Sequence, residues 1–146
     1  MKLSRTIIPL LLLALASCNS KPTETPVFNQ SFSSYISSFT SGVISKKAAI
    51  QIQLNQEVNA EFQNNTQLSA DLIGFEPAIE GSFSLVNNRT LEFYPAGDLN
   101  PGAIYKATLE LGELIEVPDS LSQFVFGFQV LKTQYEWGTV RLVATP

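Results

Sequence analysis

The chain has 146 residues, no histidine, one cysteine, and nine basic against thirteen acidic side chains for a formal charge of −4. The lack of histidine excludes Ser-His-Asp and Cys-His catalysis and the imidazole ligands of most catalytic zinc sites, and a lone cysteine excludes a disulfide within the chain. The acidic balance, with no basic run beyond the Lys46-Lys47 pair, argues against nucleic acid as a partner.

At the amino terminus, Lys2 and Arg5 precede an apolar stretch from Ile7 to Ala16 that only Pro9 interrupts. This pattern gives the n-region and h-region of a secretory signal, and it is too short to span a bilayer. Leu15-Ala16-Ser17-Cys18 then resembles the lipobox of bacterial lipoproteins. The resemblance implies cleavage before Cys18, a diacylglyceryl thioether on its sulfur and acylation of the new amino terminus. Each buried methylene contributes about 0.8 kcal/mol and two acyl chains already anchor a protein stably, so no membrane helix is needed. Residues 1–17 are therefore expected to be a lipoprotein signal peptide, with Cys18 the lipidated first residue of the mature chain and the membrane its partner. Asn19 is not the aspartate that retains some lipoproteins at the inner membrane. By that resemblance the expected location is the cell envelope, anchored in the outer membrane, with the periplasmic or surface side open. Loss of Lys2 and Arg5 leaves seven basic against thirteen acidic side chains over 129 residues, a length that suits one domain with its own core.

Residues 18–41 are rich in Ser, Thr, Asn and Pro and read as a tether. Phe28, Phe32, Tyr35 and Phe39 interrupt it at roughly helical spacing, as a short docking segment would. From residue 42 to residue 131 a period of two dominates, the mark of strands with one face buried. Ile50, Ile52 and Leu54 alternate with Gln51 and Gln53. Asn55 to Gln67 is a polar loop with at most one short strand near Val58 to Phe62. Leu72 to Phe75 is an apolar piece that Pro77 ends. Phe83 and Leu85, then Leu91 and Phe93, alternate with polar residues around Asn87-Asn88, which predicts a hairpin. Pro95, Gly97 and Asn100-Pro101-Gly102 mark turns. Ala103, Tyr105, Ala107, Leu109 and Leu111 make one inward row, and Phe124, Phe126, Phe128 and Val130 make another; two such rows are expected to face each other across two sheets. Tyr135, Trp137, Val140 and Leu142 lie in residues 132–146, read as a last strand or the start of a following domain.

Strands at short spacing, Pro and Gly turns and no long helical run predict an all-β fold, an antiparallel Ig-like β-sandwich. Within it Pro77, Gly81, Pro95, Pro101 and Gly102 are assigned structural roles at turns and strand ends. Tyr105, early in a strand after a Pro-Gly turn, is expected to return its hydroxyl to nearby backbone as in a tyrosine corner. Glu76, Glu80 and the series Glu110, Glu113, Glu116 are the carboxylates that a glycosidase-type pair would need, and with Asp119 the series is the candidate for calcium. No EF-hand loop or Gly-rich phosphate loop accompanies them. No catalytic residue, cofactor or metal site is therefore assigned. Asn29, Asn64 and Asn88 open glycosylation sequons and are read as polar turns.

The order of several motifs carries a resemblance. Phe75-x-Pro77-x-x-x-Gly81, Arg89-Thr90-Leu91-x-Phe93-x-Pro95 and Leu99-x-Pro101-Gly102-x-x-Tyr105 look like the bacterial Ig-like module of surface proteins. Together with Thr40-Ser41-Gly42-Val43-Ile44-Ser45, Leu109-x-Leu111-Gly112-x-Leu114-x-x-Val117-Pro118 and Phe124-x-Phe126-x-Phe128, they are similar to the first domain of Bacteroidetes-type bacterial alpha-2-macroglobulin lipoproteins. The resemblance implies a tethered series of sandwich domains with a bait segment and usually a Cys-x-x-Glu-Gln thioester. This chain has neither. Two functions follow as expectations: a non-catalytic, membrane-proximal spacer module of an alpha-2-macroglobulin-like endopeptidase inhibitor, partnered by following domains of a longer chain or by another protein, or a surface adhesion module binding through loops. Phe62 discriminates between them, since exposure of its ring among the amides of residues 55–67 favours binding and burial favours the spacer.

Overall fold

The computed structural model describes residues 24–63 and 66–132. Nine strands order the described residues: β1 (Ile36–Phe39), β2 (Gly42–Ile44), β3 (Ile50–Leu54), β4 (Gln67–Leu68), β5 (Ile73–Glu76), β6 (Gly81–Asn87), β7 (Thr90–Pro95), β8 (Ile104–Glu110) and β9 (Gln123–Val130). A five-stranded sheet runs β1-β3-β7-β6-β4 and a four-stranded sheet runs β2-β9-β8-β5. No helix among the described residues is long and apolar enough to cross a membrane.

The two sheets form an all-β sandwich because each strand hides one row of side chains. In β3 the buried Ile50, Ile52 and Leu54 alternate with exposed Gln51 and Gln53. In β8 the buried Tyr105, Ala107 and Leu109 alternate with half-exposed neighbours, and in β9 Phe124, Phe126, Phe128 and Val130 point the same way. Aromatic rings join the layers: Phe75 of β5 meets Phe93 of β7 at 4.6 Å between centroids, and Phe39 of β1 meets Phe124 and Phe126 of β9 at 5.2 and 5.6 Å. The hairpin expected around Asn87-Asn88 is β6 paired with β7, with Phe83 opposite Phe93 and Leu85 opposite Leu91.

Three sequence expectations need correction. The β8 and β9 rows do not face each other across the sandwich; the strands are hydrogen-bonded neighbours, with Tyr105 opposite Phe128 and Leu109 opposite Phe124. Both rows lie on one sheet face and are buried by the other sheet. The sandwich is not wholly antiparallel either, since β2 runs parallel to β9, with Gly42, Val43 and Ile44 opposite Phe128, Gln129 and Val130. The chain leaves the first sheet after β1 and joins the second at Gly42, whose φ of 69° belongs to the left-handed region that glycine enters without steric cost.

The segment assigned to a tether, residues 18–41, is also more structured than its composition suggests. Within it Gln30–Ser34 forms a 3-10 helix, started by the Ser31 N–H donating to Asn29 Oδ1 at 3.0 Å, and β1 pairs with β3. The physical reason is aromatic burial. Phe28, Phe32 and Phe39 all reach Phe124, at 6.2, 5.0 and 5.2 Å between centroids, while serines 33, 34, 37 and 38 face outward. Cys18 and residues 133–146 lie outside the described residues, so the signal, the lipid site and the strand expected from Tyr135, Trp137, Val140 and Leu142 do too.

Candidate functional site

The residues assigned structural roles gather around the β5–β6 and β7–β8 connections. Pro77 follows β5, and Gly81 opens β6 opposite Pro95 at the end of β7. A side chain at Gly81 would meet the Tyr94 carbonyl oxygen and lie 2.6 Å from the Phe93 ring, so the strands approach this closely only over glycine. Pro101 and Gly102 form the turn into β8. Gly102 has a φ of 77° and donates its N–H to the Val130 carbonyl at 2.9 Å, which fastens the turn to the end of β9.

Tyr105 is almost wholly buried, stacks on Phe128 at 5.4 Å between centroids, and its hydroxyl accepts from the Asn100 N–H at 3.3 Å. That bond runs from the start of β8 back to the preceding connection, the geometry of a tyrosine corner. Tyr105→Phe is expected to cost about 1 kcal/mol, the usual net worth of a neutral hydrogen bond, measured by urea unfolding. An unchanged midpoint would show that the hydroxyl does not tie the corner.

A recess of about 330 Å³ sits at the same end, lined by Ala78, Ile79, Glu80, Asp98, Asn100 and Tyr105 among others. Its polar groups are partly engaged already. Asp98 lies 2.6 Å from the Lys46 ammonium on the surface, and the hydrogen bond from Lys46, aided by the charges of Lys46 and Lys47, holds its carboxyl below the ordinary 3.8. A depressed carboxyl stabilises the fold above its unfolded-state value and loses that contribution as pH falls through its folded value. The destabilisation caused by Lys46→Met, followed as a thermal midpoint, is therefore expected to be present at neutral pH and to vanish in acid below that range. A difference that persisted unchanged there would contradict the pairing. Because the pair is exposed, the effect is small at any pH.

The carboxylates considered for catalysis are spread over separate elements, with Glu80 in the recess. Glu76 pairs with Lys106 of β8 at 3.4 Å, while Glu110 accepts from Gln123 Nε2 at 2.9 Å. Glu113 and Glu116 are exposed around α1 (Leu111–Leu114), and Asp119 begins a separate short 3-10 helix, Asp119–Leu121. Among the described residues no group of three or more Cys, Asp or Glu side chains could hold a metal ion, and every buried side-chain nitrogen or oxygen has a hydrogen-bond partner. On the outer face of β7 the Tyr94 hydroxyl donates to the Glu92 carboxylate, a bond that pushes the phenol's titration up.

The loop after β3 is fastened to the sandwich. Val58 is buried and donates its N–H to the Asn88 carbonyl at 2.8 Å, and the Asn59 N–H donates to the Leu114 carbonyl at 2.8 Å. Gln63 Nε2 closes the turn on the Val58 carbonyl at 2.9 Å, and Phe62 is half-buried against the core. Residues 55–63 contain no strand. Sequence reading did not single out Gly127, where a side chain would meet Pro26 and sit 3.0 Å from the Tyr105 carbonyl oxygen. Its only signal was a glycine inside a row of aromatics, which marks a close approach of another segment.

The architecture defines the class. With β1, β3, β7 and β6 in one sheet and β5, β8 and β9 in the other, the order is that of strands A, B, E, D and C, F, G of an immunoglobulin-like sandwich, and Tyr105 stands at the start of strand F. No protein-family model matches the chain, and no curated protein matches it. Among solved structures 22 chains match. The chain is similar to L,D-transpeptidase 3 from Mycobacterium tuberculosis in complex with a faropenem-derived adduct, at 9% identity over 68% of this chain and 39% of that one, with a TM-score of 0.44. It is similar also to an L,D-transpeptidase from Mycobacterium tuberculosis H37Rv, at 11% identity over 66% and 40% with a TM-score of 0.43, and to LD transpeptidase LdtMt1 in complex with imipenem, at 12% over 73% and 41% with 0.42. The chain spans about two fifths of the length of these enzymes, and likeness at this level says nothing of activity.

Proposed function

We propose that this chain is a non-catalytic Ig-like module, anchored to the cell envelope through lipid on Cys18 and acting as a membrane-proximal spacer. The observation that carries the reading is the fastening of the 55–63 loop. Its backbone is bonded to the β6–β7 turn and to α1, and Phe62 is turned toward the core, so the aromatic that an adhesion loop would present is engaged in packing. The engagement of Glu76 and Glu110 with neighbouring side chains supports the same reading, because a carboxylate pair needs two acids free to face a substrate. Placement within an alpha-2-macroglobulin-like endopeptidase inhibitor rests on motif order in the sequence, with the following domains or a protein partner as what the spacer supports.

Fractionation tests the anchor. Expressed in a Gram-negative bacterium, the chain is expected to sediment with outer membranes and to be released only by detergent, whereas Cys18→Ala is expected in the soluble or unprocessed fraction. Equal distribution of the two would overturn the proposal. The purified chain is expected to leave the rate of general endopeptidases unchanged, and stoichiometric inhibition by it alone would contradict the spacer role.

A further inference from the structure

The five-stranded sheet is almost free of charge. Strands β1, β3, β7, β6 and β4 contain neither lysine nor arginine and a single acid, Glu92, in a chain with nine basic and thirteen acidic side chains. A face meant only for solvent usually mixes both signs. Here the pairing register sets Gln51, Glu92, Ser84 and Gln67 side by side across four strands. Because neighbouring strands lie about 4.8 Å apart, the row extends roughly 14 Å, the length of a few pyranose rings.

An amide donates from its nitrogen and accepts at its oxygen, so it can satisfy a sugar hydroxyl that does both. Gln51 is exposed, and among the described residues its amide has no partner. Ser84 Oγ donates to the Glu92 carbonyl at 3.3 Å and keeps its lone pairs to accept. Beside the row Tyr94 is 49% exposed, and its hydroxyl donates to the Glu92 carboxylate. That bond holds the ring in place with an apolar face open to the C–H face of a sugar. A protein partner would need an apolar centre to bury. Among the described residues Val86 is the only other large apolar side chain exposed on this sheet. A polyanion would find no cation in these strands, and Glu92 repels it.

We propose that this face binds an extended, uncharged, β-linked polysaccharide lying across β3, β7, β6 and β4, with Tyr94 stacked on one ring and Gln51, Ser84 and Gln67 bonded to its hydroxyls. A β-linked chain extends as a ribbon and follows an open sheet face, whereas a coiled chain meets it at few points. The face is separate from the 55–63 loop and from the lipid anchor, so this binding does not depend on the spacer reading.

The test is affinity electrophoresis of the full chain with Cys18→Ser in native gels that contain a mixed-linkage β-glucan or a glucomannan, with dextran as the coiled comparison and polygalacturonate as the anionic one. Retardation by at least one β-linked polymer and by neither comparison is expected. Tyr94→Ala and Gln51→Ala are each expected to weaken binding roughly five- to tenfold, as loss of one stacked ring or one directed amide does, with circular dichroism unchanged. Tyr94→Phe keeps the ring and is expected to keep most of the binding. No retardation by either β-linked polymer would overturn the proposal, as would variants that bind like the parent or equal retardation by dextran or polygalacturonate. Self-association that sedimentation shows to be lost in Tyr94→Ala would give the face to a second copy of the chain and overturn it too. A chain that carries no lipid but binds the polymer would overturn the anchor alone, and a lipidated chain that binds none would overturn this proposal alone.

Discussion

Phe124→Ala is expected to lower the unfolding free energy by about 3–5 kcal/mol, the range for truncating a buried aromatic. Phe124 is fully buried at the start of β9, and its ring meets Phe28, Phe32, Phe39 and Phe126 at centroid separations of 6.2, 5.0, 5.2 and 5.3 Å. Three of these partners come from the N-terminal segment, so the cavity left by alanine would be shared between β9 and the elements that carry the chain into β1. Given that domains of this size have stabilities of roughly 5–15 kcal/mol, the loss is a large fraction of the whole. Urea unfolding followed by circular dichroism would measure it, and a second probe, protease cutting near residues 24–35, is expected to become faster in step. Tyr94→Ala is the matching control. That ring is half-exposed on the outer face of β7, and its removal is expected to change stability by only about 0.5 kcal/mol. A Phe124→Ala loss no larger than the Tyr94→Ala loss would contradict the packing described.

Gly81→Val is the second large effect, expected to cost about 3 kcal/mol or more, with Gly81→Ala at about 1–3 kcal/mol. The added Cβ would meet the Tyr94 carbonyl oxygen and approach Phe93 Cζ and Cε1 to 2.6 and 2.8 Å. The carbonyl is backbone within β7 and cannot swing aside. The Phe93 ring is itself pinned by Phe75 at 4.6 Å, so relief would require moving a side chain that joins the two sheets. The β6–β7 pairing between Gly81 and Pro95 would therefore open at that end. Thermal unfolding of the two variants checks the order, and Gly81→Val as stable as the parent would show that the strands are further apart than described.

The fold was legible in the sequence where one physical signal acted alone. In β3, β8 and β9 the alternation of apolar and polar residues reports burial on one face, and the hairpin of β6 and β7 shows through Asn87-Asn88. The Tyr105 corner was legible because a Pro-Gly turn must precede it, and the structure puts its hydroxyl on the Asn100 N–H. What stayed hidden is what needs partners. Whether β8 and β9 oppose or adjoin depends on pairing, which period two does not encode. The N-terminal segment carries two competing signals: Ser33, Ser34, Ser37 and Ser38 give it the composition of a tether, while the spacing of Phe28, Phe32 and Phe39 suggests docking, and all three rings meet Phe124, a partner that the local sequence does not name. Parallel pairing of β2 left no trace beyond Gly42, whose positive φ marks the crossing between sheets. The recess beside Tyr105 was likewise unreadable, since Ala78 to Glu80 and Asp98 to Asn100 are brought together only by the paired strands between them.

In the proposed function the single cysteine anchors this sandwich by lipid. Intact mass spectrometry of the protein extracted by detergent from bacterial membranes tests it most directly. The expected product is a polypeptide that begins at Cys18, heavier than its sequence mass by a diacylglyceryl group and an amide-linked acyl chain, with the added mass lost in Cys18→Ala. A chain that retains residues 1–17, or one that begins at another residue with no added mass, would contradict it.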